Sequence, residues 1–222
     1  MSMPVPQDGD GTGCSRRWAV TSPSPHESWG DPAQAWSNER VLYADASRRT
    51  LASAAAVEGF FAFVWFGWGQ EGPPPGVPSV LGAGAVLAVL VVVGGVLAAR
   101  RARNQPSPVD GAAAGKRFGI VVGVEFALVG LGAAILGFTS HPEFIAAWTC
   151  LVVGVHFLPL ARLFVGIGMA PLAGAVSVVG VAAFVVGATT TVLPSTVAGL
   201  GAGACLLGHS ASMLLARHPA AG

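Results

Sequence analysis

Six apolar stretches, each about twenty residues long, follow one another from residue 50 to residue 216 and leave this chain few ways to fold. They cover about 50–69, 77–99, 118–138, 144–163, 171–190 and 195–216. A helix needs about 20 apolar residues to cross the ~30 Å hydrocarbon core of a bilayer, whereas a membrane β-strand needs only about 10. Lipid offers no hydrogen-bond partners, so a span of this length satisfies its backbone internally, as an α-helix. The breaks carry turn chemistry: Gln70-Glu71-Gly72-Pro73-Pro74-Pro75, Ser140-His141-Pro142-Glu143 and Leu193-Pro194-Ser195, with Pro171 expected to open the fifth helix. The expected fold is all-α: a polytopic membrane protein built as a six-transmembrane-helix bundle over residues 50–217.

Composition agrees. Charged residues make up 10% of the chain, against about 25% in soluble domains. The 31 glycines suit close helix approach in lipid, and Gly119-xxx-Gly123 and Gly199-xxx-Gly203 are read as structural pairs of that kind. A net charge of +1 leaves no basic stripe for nucleic acid once the membrane anchors are counted, so the expected partner is the lipid bilayer. Cys14, Cys150 and Cys205 form neither a CxxC pair nor an even framework, which argues against a disulfide scaffold or zinc finger.

Residues 1–30 combine Pro, Gly, Ser and Asp with scattered charge and read as a disordered tail. The first 50 residues lack the apolar run of a secretory signal peptide. Asp31-Pro32-Ala33-Gln34 has the pattern of a helix start. It predicts a juxtamembrane helix over 31–49, either lying on the membrane surface or extending continuously into the first span. Residues 218–222 form a short second tail.

Basic residues set the orientation. Arg16, Arg17, Arg40, Arg48 and Arg49 precede the first span; Arg100, Arg101, Arg103, Lys116 and Arg117 lie between the second and third; Arg162 ends the fourth; Arg217 follows the sixth. With six spans all twelve fall on one side, which is therefore assigned to the cytoplasm of a plasma (inner) membrane, with both termini inside.

The ionisable groups within the spans are the candidate site residues: Glu58, Glu125, His156 and His209, with Ser212 beside them. A charge at membrane depth costs a few kcal/mol and normally faces a partner in the bundle interior. At about 1.5 Å per residue, Glu58 lies roughly 13 Å beyond Arg49, Glu125 roughly 12 Å beyond Arg117, His156 roughly 9 Å before Arg162 and His209 roughly 12 Å before Arg217. The four are thus expected in one inner-leaflet layer, as pairs Glu125–His156 and Glu58–His209. Cys205, His209 and Ser212 share a helix face by spacing, and Pro159 frees the Val155 carbonyl beside His156. Val57-Glu58 and Val124-Glu125 on the first and third spans, and His156 and His209 each followed by Leu-Ala-Arg on the fourth and sixth, also suggest tandem hairpins in one orientation, a pattern broken by the lack of His in the second span and of Glu in the fifth.

Three readings stay open. The layer supports proton- or cation-linked transport of a small solute, with the chain acting as a homo-oligomer because six short helices make a thin path. Alternatively, the chain is a non-catalytic membrane scaffold or partner subunit whose Glu–His pairs pin its helices. Thirdly, the layer holds a divalent metal in a membrane-embedded metalloenzyme, with Glu125, His156, Glu58 and His209 as ligands; no HxxxH, HExxH or ExxH spacing supports this. Serine-hydrolase chemistry lacks an Asp within the spans. Phe60, Phe61, Phe63, Trp65, Phe66, Trp68 and Trp148 are read as an aromatic belt with some core packing.

The topology predicts that, in a cysteine-free background, Glu71→Cys reacts with a membrane-impermeant maleimide in intact cells. Gln105→Cys should react only after permeabilisation; the reverse pattern inverts the orientation.

Overall fold

A computed structural model describes residues 47–105, 112–163 and 167–215. The tail 1–30, nearly all of the helix expected over 31–49, and the tail 218–222 lie outside the described residues. Within them the chain forms α1 (Arg48–Trp68), α2 (Val77–Arg101), α3 (Ala112–Phe138), a 3-10 turn (Pro142–Phe144), α4 (Ile145–Leu163), α5 (Met169–Thr189) and α6 (Pro194–Leu215). All six helices are long and apolar enough to cross a membrane, so the chain is a multi-pass membrane protein.

Helix limits follow local chemistry more closely than they follow apolarity. Ser47 starts α1: its backbone is non-helical (φ −55°, ψ 147°) and its hydroxyl accepts from the Thr50 N–H at 3.2 Å. The first span thus begins with its own cap at Ser47. The third helix begins at Ala112 rather than near 118, because alanines are strong helix formers and extend it past the lipid-entry point. The fifth begins at Met169, after Gly168 in the left-handed region (φ 78°), so Pro171 sits within its first turn.

The packing centres on α6, which touches α1, α2, α4 and α5. α1 lies against α2 and α6, and α4 packs against α5. Small residues make the close approaches. The Phe66 ring of α1 is gripped between Gly84 of α2 and Gly203 of α6; a Cβ at those positions would come within 2.6 and 2.7 Å of it. Gly199 meets Gly69 and the Trp65 carbonyl, with backbone 2.6–2.7 Å from where its Cβ would stand. Gly180 and Gly154 serve the α4–α5 contact against Leu151 and Ser177 in the same way. The Gly199/Gly203 pair is thus used within the bundle. Gly119 and Gly123 have open space within 4 Å among the described residues and pack nothing there.

The third helix is the outlier. Of the other long helices it packs on α4, and 6% of its span is buried, against 44% for α1. Ile120, Val124, Phe126, Leu131 and Ile135 are all more than half exposed, an apolar surface suited to lipid. The tandem-hairpin expectation therefore breaks down at its second unit: the two Glu-bearing helices are not equivalent, since α1 is enclosed by neighbours and α3 lies at the edge. The aromatic run divides as well. Phe60, Phe61 and Phe63 are exposed, while Trp65 and Phe66 are buried and Trp65 stacks on Trp68 at 5.4 Å.

Adding a methyl group to Gly199 forces two backbones apart and should destabilise the bundle by about 1–3 kcal/mol. Gly208→Ala on the same helix adds its methyl to open space and should change stability by less than about 0.5 kcal/mol. Denaturation of the two variants in detergent, read side by side, checks the difference.

Candidate functional site: two glutamate–histidine pairs

Each expected pair forms. In the first, His209 Nδ1 of α6 lies 2.7 Å from Glu58 Oε2 of α1. The other ring nitrogen, Nε2, lies 2.7 Å from the Ile167 carbonyl in the α4–α5 link. Gly168 makes this second contact feasible. Its positive φ turns the link so that the Ile167 carbonyl meets the ring, and a Cβ on it would stand 3.2 Å from Nε2. One imidazole therefore joins α1, α6 and the α4–α5 link.

The hydrogen-bond roles follow from the partners. A carbonyl only accepts, so Nε2 carries a hydrogen and donates it to Ile167. One further proton lies between Nδ1 and Oε2. Whichever atom holds it, Glu58 and His209 together are uncharged, which limits the cost of burying them. Glu58 is 4% exposed, and its Oε1 is buried with no partner among the described residues. The donor chain ends on a main-chain carbonyl, which cannot take up a proton and pass it on.

The second pair is looser. His156 Nε2 of α4 stands 3.3 Å from Glu125 Oε2 of α3, with side chains 9% and 16% exposed. It sits on a groove of about 410 Å³ between α3 and α4, walled mainly by apolar residues such as Ile120, Leu128, Leu151 and Val155. Pro159, inside α4, lines the same groove.

A third polar contact was not legible as such in the sequence. Trp148 Nε1 of α4 donates to the Leu128 carbonyl of α3 at 3.0 Å. That carbonyl faces the position four residues on, which is Gly132; with no side chain there the indole lies directly against the α3 backbone, and a Cβ at 132 would overlap it. Trp148, expected in the aromatic belt, is instead the second clasp of α3. Its signal was Gly132, which only structure singles out among many glycines.

Ser212 does not join the site. It is exposed and donates to the His209 carbonyl of its own helix at 2.6 Å, so the face shared by spacing with Cys205 and His209 is not a shared polar cluster. Ser210 is fully buried and likewise bonds within α6, to the Leu207 carbonyl at 2.9 Å. Cys150 is buried, and its thiol donates to the Val176 carbonyl of α5 at 3.5 Å. Among the described residues no three His, Cys, Asp or Glu side chains converge as a metal would need, so Glu58, Glu125, His156 and His209 do not make one ligand set. The expected layer resolves into two separate contacts in two helix interfaces.

Compared with family models, curated proteins and solved structures, the chain matches none. Its own geometry therefore carries the functional reading.

Removing the Glu58 carboxyl strands a buried ring nitrogen, so Glu58→Ala should cost about 1–3 kcal/mol. Glu58→Gln should cost less, because its NH₂ can donate to Nδ1 while its oxygen takes the place of the unpartnered Oε1. Melting temperatures of the two variants in detergent give the comparison.

Proposed function

We propose that the chain is a non-catalytic membrane scaffold or partner subunit, held in the plasma (inner) membrane with both termini in the cytoplasm. The observation that carries this reading is the double engagement of His209. A relay histidine needs one nitrogen that exchanges its proton with a titratable group or water. Here one nitrogen is held by Glu58 and the other by a carbonyl, and the three groups bind three parts of the fold together. Glu125–His156 and Trp148–Leu128 do the same for α3. The orientation rests on basic residues: those described lie at the starts of α1 and α3 and the ends or exits of α2 and α4.

Proton- or cation-linked transport is the second reading. It is favoured by one feature, the placement of Glu125 and His156 on the α3–α4 groove. A homo-oligomer belongs with it, because the groove is open on the outer side of a single chain.

One pair of variants separates the two. In proteoliposomes and in detergent, Glu125→Gln and His156→Ala should leave ion flux and internal pH at the level of the unmodified protein. Both should lower the melting temperature, with a loss of about 0.6–1.7 kcal/mol, the range of polar contacts between membrane helices. A flux present in the unmodified protein and abolished by both substitutions, with the fold intact, overturns the scaffold in favour of transport.

A further inference from the structure

At the arginine-bearing end of the bundle, the start of α1 and the ends of α2 and α6 enclose a cavity of about 480 Å³. That volume falls within the range of small-molecule sites. Arg48 of α1, Arg101 of α2 and Gln105 all line it. The deeper wall is apolar, formed by Leu51, Ala52, Ala98 and Met213. Both arginines are exposed. Among the described residues neither Arg48 nor Arg101 has a carboxylate within ion-pair distance, and no acidic side chain lines the cavity.

The rim is also held in place. Arg49 donates from Nη1 to the Gln105 carbonyl at 3.1 Å, tying the start of α1 to the chain leaving α2. Leu214 and Leu215 of α6 line the remaining side, and Leu215 is 78% exposed. Leu97 of α2, one residue from the cavity wall, is 48% exposed. Exposed apolar side chains thus lie in the cavity wall and near it.

We propose that this cavity binds the phosphate group of an anionic lipid, with Arg48 and Arg101 on the phosphate and the acyl chains lying along Leu97 and Leu215. Guanidinium groups match phosphate oxygens in pairs of hydrogen bonds, which a point charge does not. The position suits a lipid, since Arg48 and Arg101 end the spans where the headgroup region begins. A free phosphate would use the same two arginines and gain nothing from the leucines.

The test uses the full chain in neutral detergent, titrated with phosphatidylglycerol, with phosphatidylcholine of the same acyl length, and with inorganic phosphate. Native mass spectrometry and melting temperature are read. Phosphatidylglycerol should bind and raise the melting temperature where phosphatidylcholine does not. The double variant Arg48→Gln with Arg101→Gln should bind it about thirtyfold more weakly, equivalent to about 2 kcal/mol. Arg162→Gln, a charge lost outside the cavity at the end of α4, should leave the affinity unchanged. The melting temperature in phosphatidylcholine reports whether the double variant is folded; if it is not, Arg48→Lys with Arg101→Lys keeps the charge, and an affinity for phosphatidylglycerol below that of the unmodified protein supports the site, whereas an unchanged affinity overturns it. Undiminished binding in the double variant, or an equal fall with Arg162→Gln, overturns it. Equal protection by inorganic phosphate overturns the lipid as the source of the anion.

Discussion

When a carboxyl and an imidazole meet inside an apolar bundle, they have to settle their charge between them if both are to stay buried. Glu58 and His209 do so by sharing one proton over 2.7 Å, and the Ile167 carbonyl takes up the remaining ring N–H. The consequence is geometric. α1 and α6 are fixed at one depth relative to each other, and the α4–α5 link is fixed to both. With those three anchored, the glycine contacts fall into register: Gly199 reaches Gly69, and Gly203 and Gly84 close on Phe66. Small-residue packing gains only from close approach, so a shift of one residue along the helix axis, about 1.5 Å, would lose it.

Two levels of attachment result. α1, α2, α4 and α5 are gathered around α6, whereas α3 is added from the side. α3 compensates for its small buried surface with polar contacts spaced along its length: Glu125 with His156, and Leu128 with Trp148. In lipid, apolar side chains gain little by leaving acyl chains for one another, so directed contacts of this kind carry a larger share of the association than they would in water. Gly132 matters for the same reason, because it admits the indole to the helix backbone.

Much of this was legible in the sequence, and the reasons are physical. The six spans followed from hydropathy because lipid forces every backbone group into a helix. A common depth for the four groups followed from the boundary arginines and a fixed helical rise, and the pairing of Glu125 with His156 from their place on sequential spans joined by a short loop, which left Glu58 to His209. Depth carries no information about azimuth. Ser212 was placed beside His209 by spacing, yet its hydroxyl turns back to its own helix. The four-member layer was inferred from matching depths, while the two pairs occupy different interfaces. Trp148 and Gly168 were out of reach for a related cause: an indole's choice between lipid headgroups and a neighbouring carbonyl, or a link's turn toward a histidine, depends on which helices are neighbours. The helix expected over 31–49 lies almost wholly outside the described residues, and α1 takes its start from the Ser47 cap.

The long sequence interval in the first pair has a consequence for how the protein is made. Glu58 and His209 are 151 residues apart, on α1 and α6. At about 5–20 residues per second, roughly 8–30 s of synthesis separate them. During that interval α1 is in the membrane with its carboxyl lacking the partner that finally neutralises it, while α3 gains His156 from the very next helix. The contact that joins α1 to α6 therefore has to wait until α6 has been made.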